Sequence, residues 1–174
     1  TGTPTKGRGK RTDEGLEIMA RLWSEERVNF SGDYYTLDDA TIAPKPVQSP
    51  LPLWVGGSAA AAIERTARWG TGWQAGIESA AEVAPVITAI KQRAAELGRK
   101  IDDDHFGAGF GFRFGKRDEP LVARYNEQFE KRLGKDPAAY SAIGGVEDMM
   151  ALVKDFHAAG VHKFVLRPIA AGTE

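Results

Sequence analysis

Apolar residues recur along this chain at two alternating periods. Leu16, Met19, Leu22 and Trp23, with Ile18 beside them, fall at helical spacing, so a helix is predicted from Thr12 to about Ser24. Thr12 is placed to cap it, and Asp13 and Glu14 put negative charge in its first turn. "VNFSGDYYTL" (Val28 to Leu37) carries two β-type runs around Ser31-Gly32-Asp33, which is a hairpin signal. The four prolines of "IAPKPVQSPLP" then impose an extended connector. Leu53 to Val55 reads as a short buried strand ended by Gly56, Gly57 and Ser58. Ser58 is expected to cap a helix from about Ala59 to Trp69, and Gly70 to close it in a left-handed conformation.

Gly72 to Ile77 gives a second strand. Ser79 and Glu82 have capping-box spacing for a helix running to about Leu97. "HFGAGFGFRFG" (His105 to Gly115) alternates aromatic and small residues, a strand whose glycines permit close backbone approach. A helix from about Glu119 to Leu133 follows, with Pro120 in its first turn. "GGVEDMMALVKDFHAAG" is another helix, with Met149, Leu152, Val153 and Phe156 on one face. "HKFVLRPIA" is a last strand, with Phe164 to Leu166 as its buried run. Strands that alternate with helices at this spacing predict a parallel β/α architecture.

Composition narrows the function classes. The 174 residues suffice for one domain. A net charge of −1 offers no field for nucleic acid or an anionic membrane. The absence of cysteine excludes disulfides, thiolate metal sites and a Cys nucleophile, and is compatible with the cytoplasm. No apolar run approaches a membrane span, and the basic "TGTPTKGRGKR" lacks the apolar segment of a secretory signal. The chain opens at Thr1 within a polar segment. It is therefore expected to be part of a longer polypeptide, with removal of an initiator Met as the alternative.

The candidate chemistry lies at "VGGS". Gly56 and Gly57 clear side chains from a strand end, and Ser58 offers a hydroxyl beside a helix N-terminus, an arrangement suited to a phosphate. A tight turn without a ligand is the competing reading, because GxGxxG spacing and a P-loop lysine are both missing. Arg113 and Arg167, at strand ends, are candidates for an anionic substrate or cofactor tail. Salt-bridged or outward-facing roles compete with that assignment. Trp73 could line a pocket, although core packing explains it more simply. His105, His157 and His162 share no metal-ligand spacing, and Asp102 to Asp104 read as a solvated loop, so no metal is expected. Ser58 lacks the GxSxG context of a hydrolase nucleophile.

"RGKRTDE", "LW", "VNFSGDYYTL", "PKPVQSPLPLWVGGS", "ARWGTGW" and the late "GGVEDMMALVKDFHAAGVHKFVLRP" together resemble the luciferase-like flavin-dependent oxidoreductases. The resemblance covers nearly the whole chain. It implies a (β/α)8 TIM barrel, with residues 1–174 forming the C-terminal part of one such domain and a small hairpin inserted near 28–37. It also implies FMN or the deazaflavin coenzyme F(420), with Gly56, Gly57 and Ser58 at the cofactor phosphate or side chain. A luciferase-like monooxygenase or an F(420)-dependent dehydrogenase or reductase acting on a small organic substrate would follow. Thr71 stands where the family usually has Asp, which puts a local ionic role there in doubt. Only the later strands are matched; the early strands, which carry the family's substrate-side histidine and acidic residues, are not.

Such a half barrel would need completion by an N-terminal half or by a second copy in a homodimer. The alternative is a non-catalytic fragment. Another phosphate-binding β/α enzyme, an aldolase or isomerase, would need a lysine or paired carboxylates at strand ends, and none is convincingly placed.

Overall fold

The computed structural model describes residues 5–170. Helix α1 (Arg8–Ser24) leads into an antiparallel hairpin, β1 (Val28–Ser31) and β2 (Thr36–Ala40). Then come β3 (Trp54–Gly56), α2 (Ala60–Trp69), β4 (Gly72–Gln74), α3 (Ala80–Glu96) and β5 (Phe106–Phe114). They are followed by α4 (Pro120–Leu133), β6 (Ser141–Gly144), α5 (Val146–Ala158) and β7 (Lys163–Pro168). Strands β3 to β7 form one five-stranded parallel sheet. No helix among the described residues is long and apolar enough to cross a membrane.

The nine-residue β5 is the hub of the sheet. Its first residues pair with β4 and its last with β6 along one edge, while β7 runs along the other from Gly107 to Phe112. The alternation read in "FGAGFGF" divides the two faces. Phe106, Ala108 and Phe110 are buried against the helices, with Phe112 packed beside them. Gly107, Gly109 and Gly111 fall on the opposite face. Phe110 stacks on Phe156 of α5, with centroids 5.7 Å apart and planes 9° from parallel. Burying each such ring contributes about 1.5–3 kcal/mol.

The peripheral elements are held by polar clasps. The Glu14 carboxylate accepts the backbone N–H groups of Asp33, Tyr34 and Tyr35 at 2.8–3.0 Å, fixing the hairpin turn to α1. Lys45, in the proline-rich connector, donates to the Leu22 and Glu25 carbonyls at the end of α1. The Ser79–Glu82 capping box forms as predicted, the Ser79 N–H donating to Glu82 Oε2 at 2.7 Å.

Several expectations are corrected. Helix α1 starts at Arg8 rather than Thr12, because Gly7 turns the chain with φ of 78° one residue earlier; the Thr12 hydroxyl donates back to the Arg8 carbonyl. Ala59, not Ser58, occupies the cap position of α2. Gly70 is extended, with φ of −70°, and its smallness serves space: a Cβ there would lie 2.8 Å from the Thr66 carbonyl. Strand β6 is an addition; its four residues are too few to show a period. In β7 only Phe164 packs on the core, while Val165 and Leu166 are 49% and 43% exposed. Strand β7 pairs with β5 alone and β3 with β4 alone among the described residues, so no described strand pairs with their outer edges.

Candidate functional site at the C-terminal ends of the strands

Two neighbouring features occupy the end of the sheet to which parallel strands deliver their C-termini. The first is the loop after β3. Gly56, Gly57 and Ser58 are exposed. Gly57 has φ of 96°, a conformation that side chains resist. A Cβ at Gly56 would meet nothing closer than the Gln74 carbonyl at 3.6 Å, so the glycine leaves open space in front of the backbone. The first turn of α2 is closed by Ala62 and Ile63 donating to the Ala59 carbonyl. Amides ahead of Ala62 therefore have no intrahelical acceptor and sit at the positive end of the dipole.

The loop is buttressed from below and countered from the side. Trp73 is fully buried, and its indole N–H donates to the Gly57 carbonyl at 2.8 Å. The Ser58 hydroxyl donates to Glu78 Oε1 at 2.8 Å. The other oxygen, Glu78 Oε2, is buried without a hydrogen-bond partner. A carboxylate thus stands beside amides that favour an anion. The backbone fits a phosphate, and the Glu78 side chain opposes one.

The second feature is a cavity of about 650 Å³ between β5, β7 and α4. Gly109 and Gly111 of β5 form its floor. A Cβ at Gly109 would stand 2.7 Å from the Val165 carbonyl of β7, a backbone clash that requires glycine, whereas one at Gly111 would stand 2.8 Å from the Tyr125 hydroxyl and displace that side chain. Helix α4 presents two stripes to the cavity at i, i+4, i+8 spacing: Leu121, Tyr125 and Phe129, and alongside them Arg124, Gln128 and Arg132. Tyr125, Phe129 and Tyr140 form a continuous aromatic wall, with successive centroids 5.9 and 5.3 Å apart. Burial raises the Tyr125 phenol above its ordinary value, opposed by a bond with Ser141 and by the positive charge of Arg167. Glu82 fixes the far wall. It accepts from Lys135 and from the Tyr140 hydroxyl, each at 2.8 Å. Its carboxyl is pulled down to about 2, chiefly by Lys135 and the Ser79 backbone N–H.

The residues singled out in the sequence fall into three places. Gly56, Gly57 and Ser58 form the loop. Arg167 lines the cavity, its guanidinium 3.4 Å from the Gly109 carbonyl. Trp73 lies in the core and Arg113 is consumed by structure. The Arg113 guanidinium grips the Glu119 carboxylate just before α4 and donates to the Ile169 carbonyl at 3.2 Å. Arg124, Arg132, Tyr125 and Tyr140 were not singled out, although the two stripes of α4 are visible in "LVARYNEQFEKR" once the helix is known to face the mouth. Glu78 carried no sequence signal.

The histidines do not converge. His157 and His162 are exposed, with rings 4.8 Å apart. His105 lies near Asp102 and Asp104, a grouping that could offer three ligands to a cation. The Lys163 ammonium already pairs with Asp104 there, and both aspartates are exposed.

Residues 1–165 match the family model described as luciferase-like monooxygenase. An F(420)-dependent glucose-6-phosphate dehydrogenase of Segniliparus rotundus is 35% identical over 96 residues, which are 54% of this chain and 28% of that protein. Among solved structures, an F(420)-dependent secondary alcohol dehydrogenase bound to an F(420)–acetone adduct superposes with a TM-score of 0.77 at 20% identity. The match covers 99% of this chain and 59% of that one. The monooxygenase RslO1 of Streptomyces bottropensis gives 0.73 at 20% identity, covering 97% and 57%. These two likenesses establish the fold: the parallel sheet and its helices are those of luciferase-like TIM barrels, of which the chain spans just over half.

Proposed function

The chain belongs to the luciferase-like monooxygenase family, and from that premise we propose that it forms the later strands of one barrel domain in an F(420)-dependent oxidoreductase of a small organic substrate. The observation that carries this reading is the Gly56-Gly57-Ser58 loop, with its open space and unsatisfied amides beside a cavity of substrate size. The curated relative from Segniliparus rotundus, named for F(420), favours the deazaflavin over FMN.

In this reading the backbone of Gly56 to Ser58 holds the cofactor phosphate, with the first-turn amides of α2 as donors. Glu78 gives up the Ser58 hydroxyl when the anion arrives. Trp73 keeps the Gly57 carbonyl turned inward, away from the anion. A bound deazaflavin supplies hydride transfer, whereas FMN would also open oxygen chemistry. The chain's own part is to bind, orient and keep water from the mouth, where α4 lies over the floor of β5.

Equilibrium titration of the chain with F(420), FMN and riboflavin checks this. Saturable F(420) binding is the expected result. FMN binding tighter than F(420) would move the assignment to a flavin enzyme, and binding of neither would remove it.

A second reading, in which the chain is inactive until completed, is favoured by the outer edges of β3 and β7, which pair with no described strand, and by the exposed Val165 and Leu166. Native mass spectrometry separates the two: a monomer that turns over substrate would exclude this second reading.

A further inference from the structure

We propose that Arg124, Arg132 and Arg167 form an anion subsite in the cavity above β5, and that it receives the carboxylate or phosphate of an amphiphilic substrate whose apolar body lies on Tyr125 and Phe129. This rests on the oxidoreductase reading only for the word substrate; the subsite itself is argued from geometry.

All three arginines line the same cavity. Two come from one face of α4, eight residues apart, and the third from the end of β7. No aspartate or glutamate lines the cavity with them. Elsewhere among the described residues Arg21, Arg27, Arg65, Arg68, Arg93, Arg113 and Arg117 each hold a carboxylate. Among the described residues none of the cavity three does. Three uncompensated positive charges around one concavity repel each other unless an anion joins them, and a guanidinium presents two parallel N–H donors to a carboxylate or phosphate. The adjoining stripe of Leu121, Tyr125 and Phe129 supplies an apolar surface for the rest of the molecule.

The subsite is separate from the loop after β3. That loop uses backbone amides and faces a carboxylate of its own, Glu78, whereas the cavity uses side-chain cations and has no carboxylate among its lining residues. The two anion sources, a substrate acid and the cofactor's own phosphate or carboxylates, are distinguishable by which ligand each variant loses.

The test titrates the purified chain with phenyl phosphate, benzoate and phenol, following amide shifts of α4 and β7 by NMR. Phenyl phosphate and benzoate are expected to bind at least about tenfold more tightly than phenol, since a charge-assisted contact is worth about 1.5–3 kcal/mol. Arg124→Gln with Arg132→Gln should remove that preference at unchanged melting temperature, both side chains being exposed; Arg27→Gln, on the hairpin side, should not. Equal binding of phenol and phenyl phosphate, or an unchanged preference in the double variant, would overturn the subsite. FMN or F(420) affinity that falls in the double variant would assign the arginines to the cofactor and overturn the substrate assignment. Retained anion discrimination without any cofactor binding would keep the subsite and sink the oxidoreductase reading instead.

Discussion

The loop after β3 and the cavity beneath α4 both favour negative charge, by different physical means. In the loop the positive potential is fractional and comes from amides fixed by Gly57 and the start of α2. It is partly cancelled by Glu78, which sits on the Ser58 hydroxyl. In the cavity the potential comes from whole charges on side chains, with no carboxylate among the lining residues. Backbone donors give fixed geometry and little tolerance of substitution. Side-chain donors give strength and can be changed one at a time. In the function proposed above, the first would serve a constant part of the ligand set and the second a variable part.

The largest effect should follow from Gly57→Val. A β-branched residue at φ of 96° is strained by about 1–3 kcal/mol; thermal unfolding should register that loss and cofactor affinity should collapse, while benzoate affinity persists. Arg113→Gln should give the opposite split to the cavity arginines. It frees Glu119 and the Ile169 carbonyl, so the melting temperature should fall with no change in anion preference. Removing the opposing charge sharpens the contrast: Glu78→Gln should raise affinity for a phosphate-bearing cofactor by roughly fivefold, about 1 kcal/mol of relieved repulsion, and leave riboflavin unaffected. Calorimetry with FMN and riboflavin would decide it. Trp73→Phe keeps the ring in the core but leaves the Gly57 carbonyl without its donor, a cost of about 1 kcal/mol in denaturant unfolding.

The smallest effect concerns pH. Glu82 has its carboxyl pulled below the ordinary 4.5 to about 2 in the folded chain. A depressed folded value contributes stability that is present above the unfolded value and lost as pH falls through the folded one. Stability should therefore decline from about pH 4.5 to 2, and Glu82→Gln should flatten the decline in that window. An unchanged acid-unfolding curve in the variant would show that Glu82 is not the group responsible.

Much of the sheet was legible because its strands and helices have opposite periods. "FGAGFGFRF" announced both a strand and its two unlike faces, and Gly134, with φ of 63°, stopped α4 where expected. The turn after β3 was legible because Gly56 and Gly57 end an apolar run, although the cap of α2 fell at Ala59 rather than Ser58. Strand β6 was not, since Ser141 to Gly144 gains its character only by lying beside β5. Nor was the exposure of Val165 and Leu166, because hydrophobicity predicts burial only if a neighbour is present to provide it. The arginine subsite escaped because it joins Arg167 to residues some forty positions earlier, and a charged helix face reads as solvated until its surroundings are known. Trp73 was read both as core and as possible lining, and its indole N–H explains the ambiguity: the ring belongs to the core and its one polar atom to the loop.

Helix α4 has a single buried residue, Val122, which packs with Ile143 and Ile169 in a cluster apart from the main core. Leu121 and Tyr125 pack against that cluster, while the exposed Arg124, Gln128 and Arg132 can be exchanged with little consequence for folding. In evolutionary terms this makes α4 an interchangeable part: a lineage can rewrite Arg124, Gln128 and Arg132 to suit a new compound while the glycine floor and the loop after β3 stay as they are. Diversification of ligand preference among descendants of this chain should therefore accumulate on one helical face, at every fourth position.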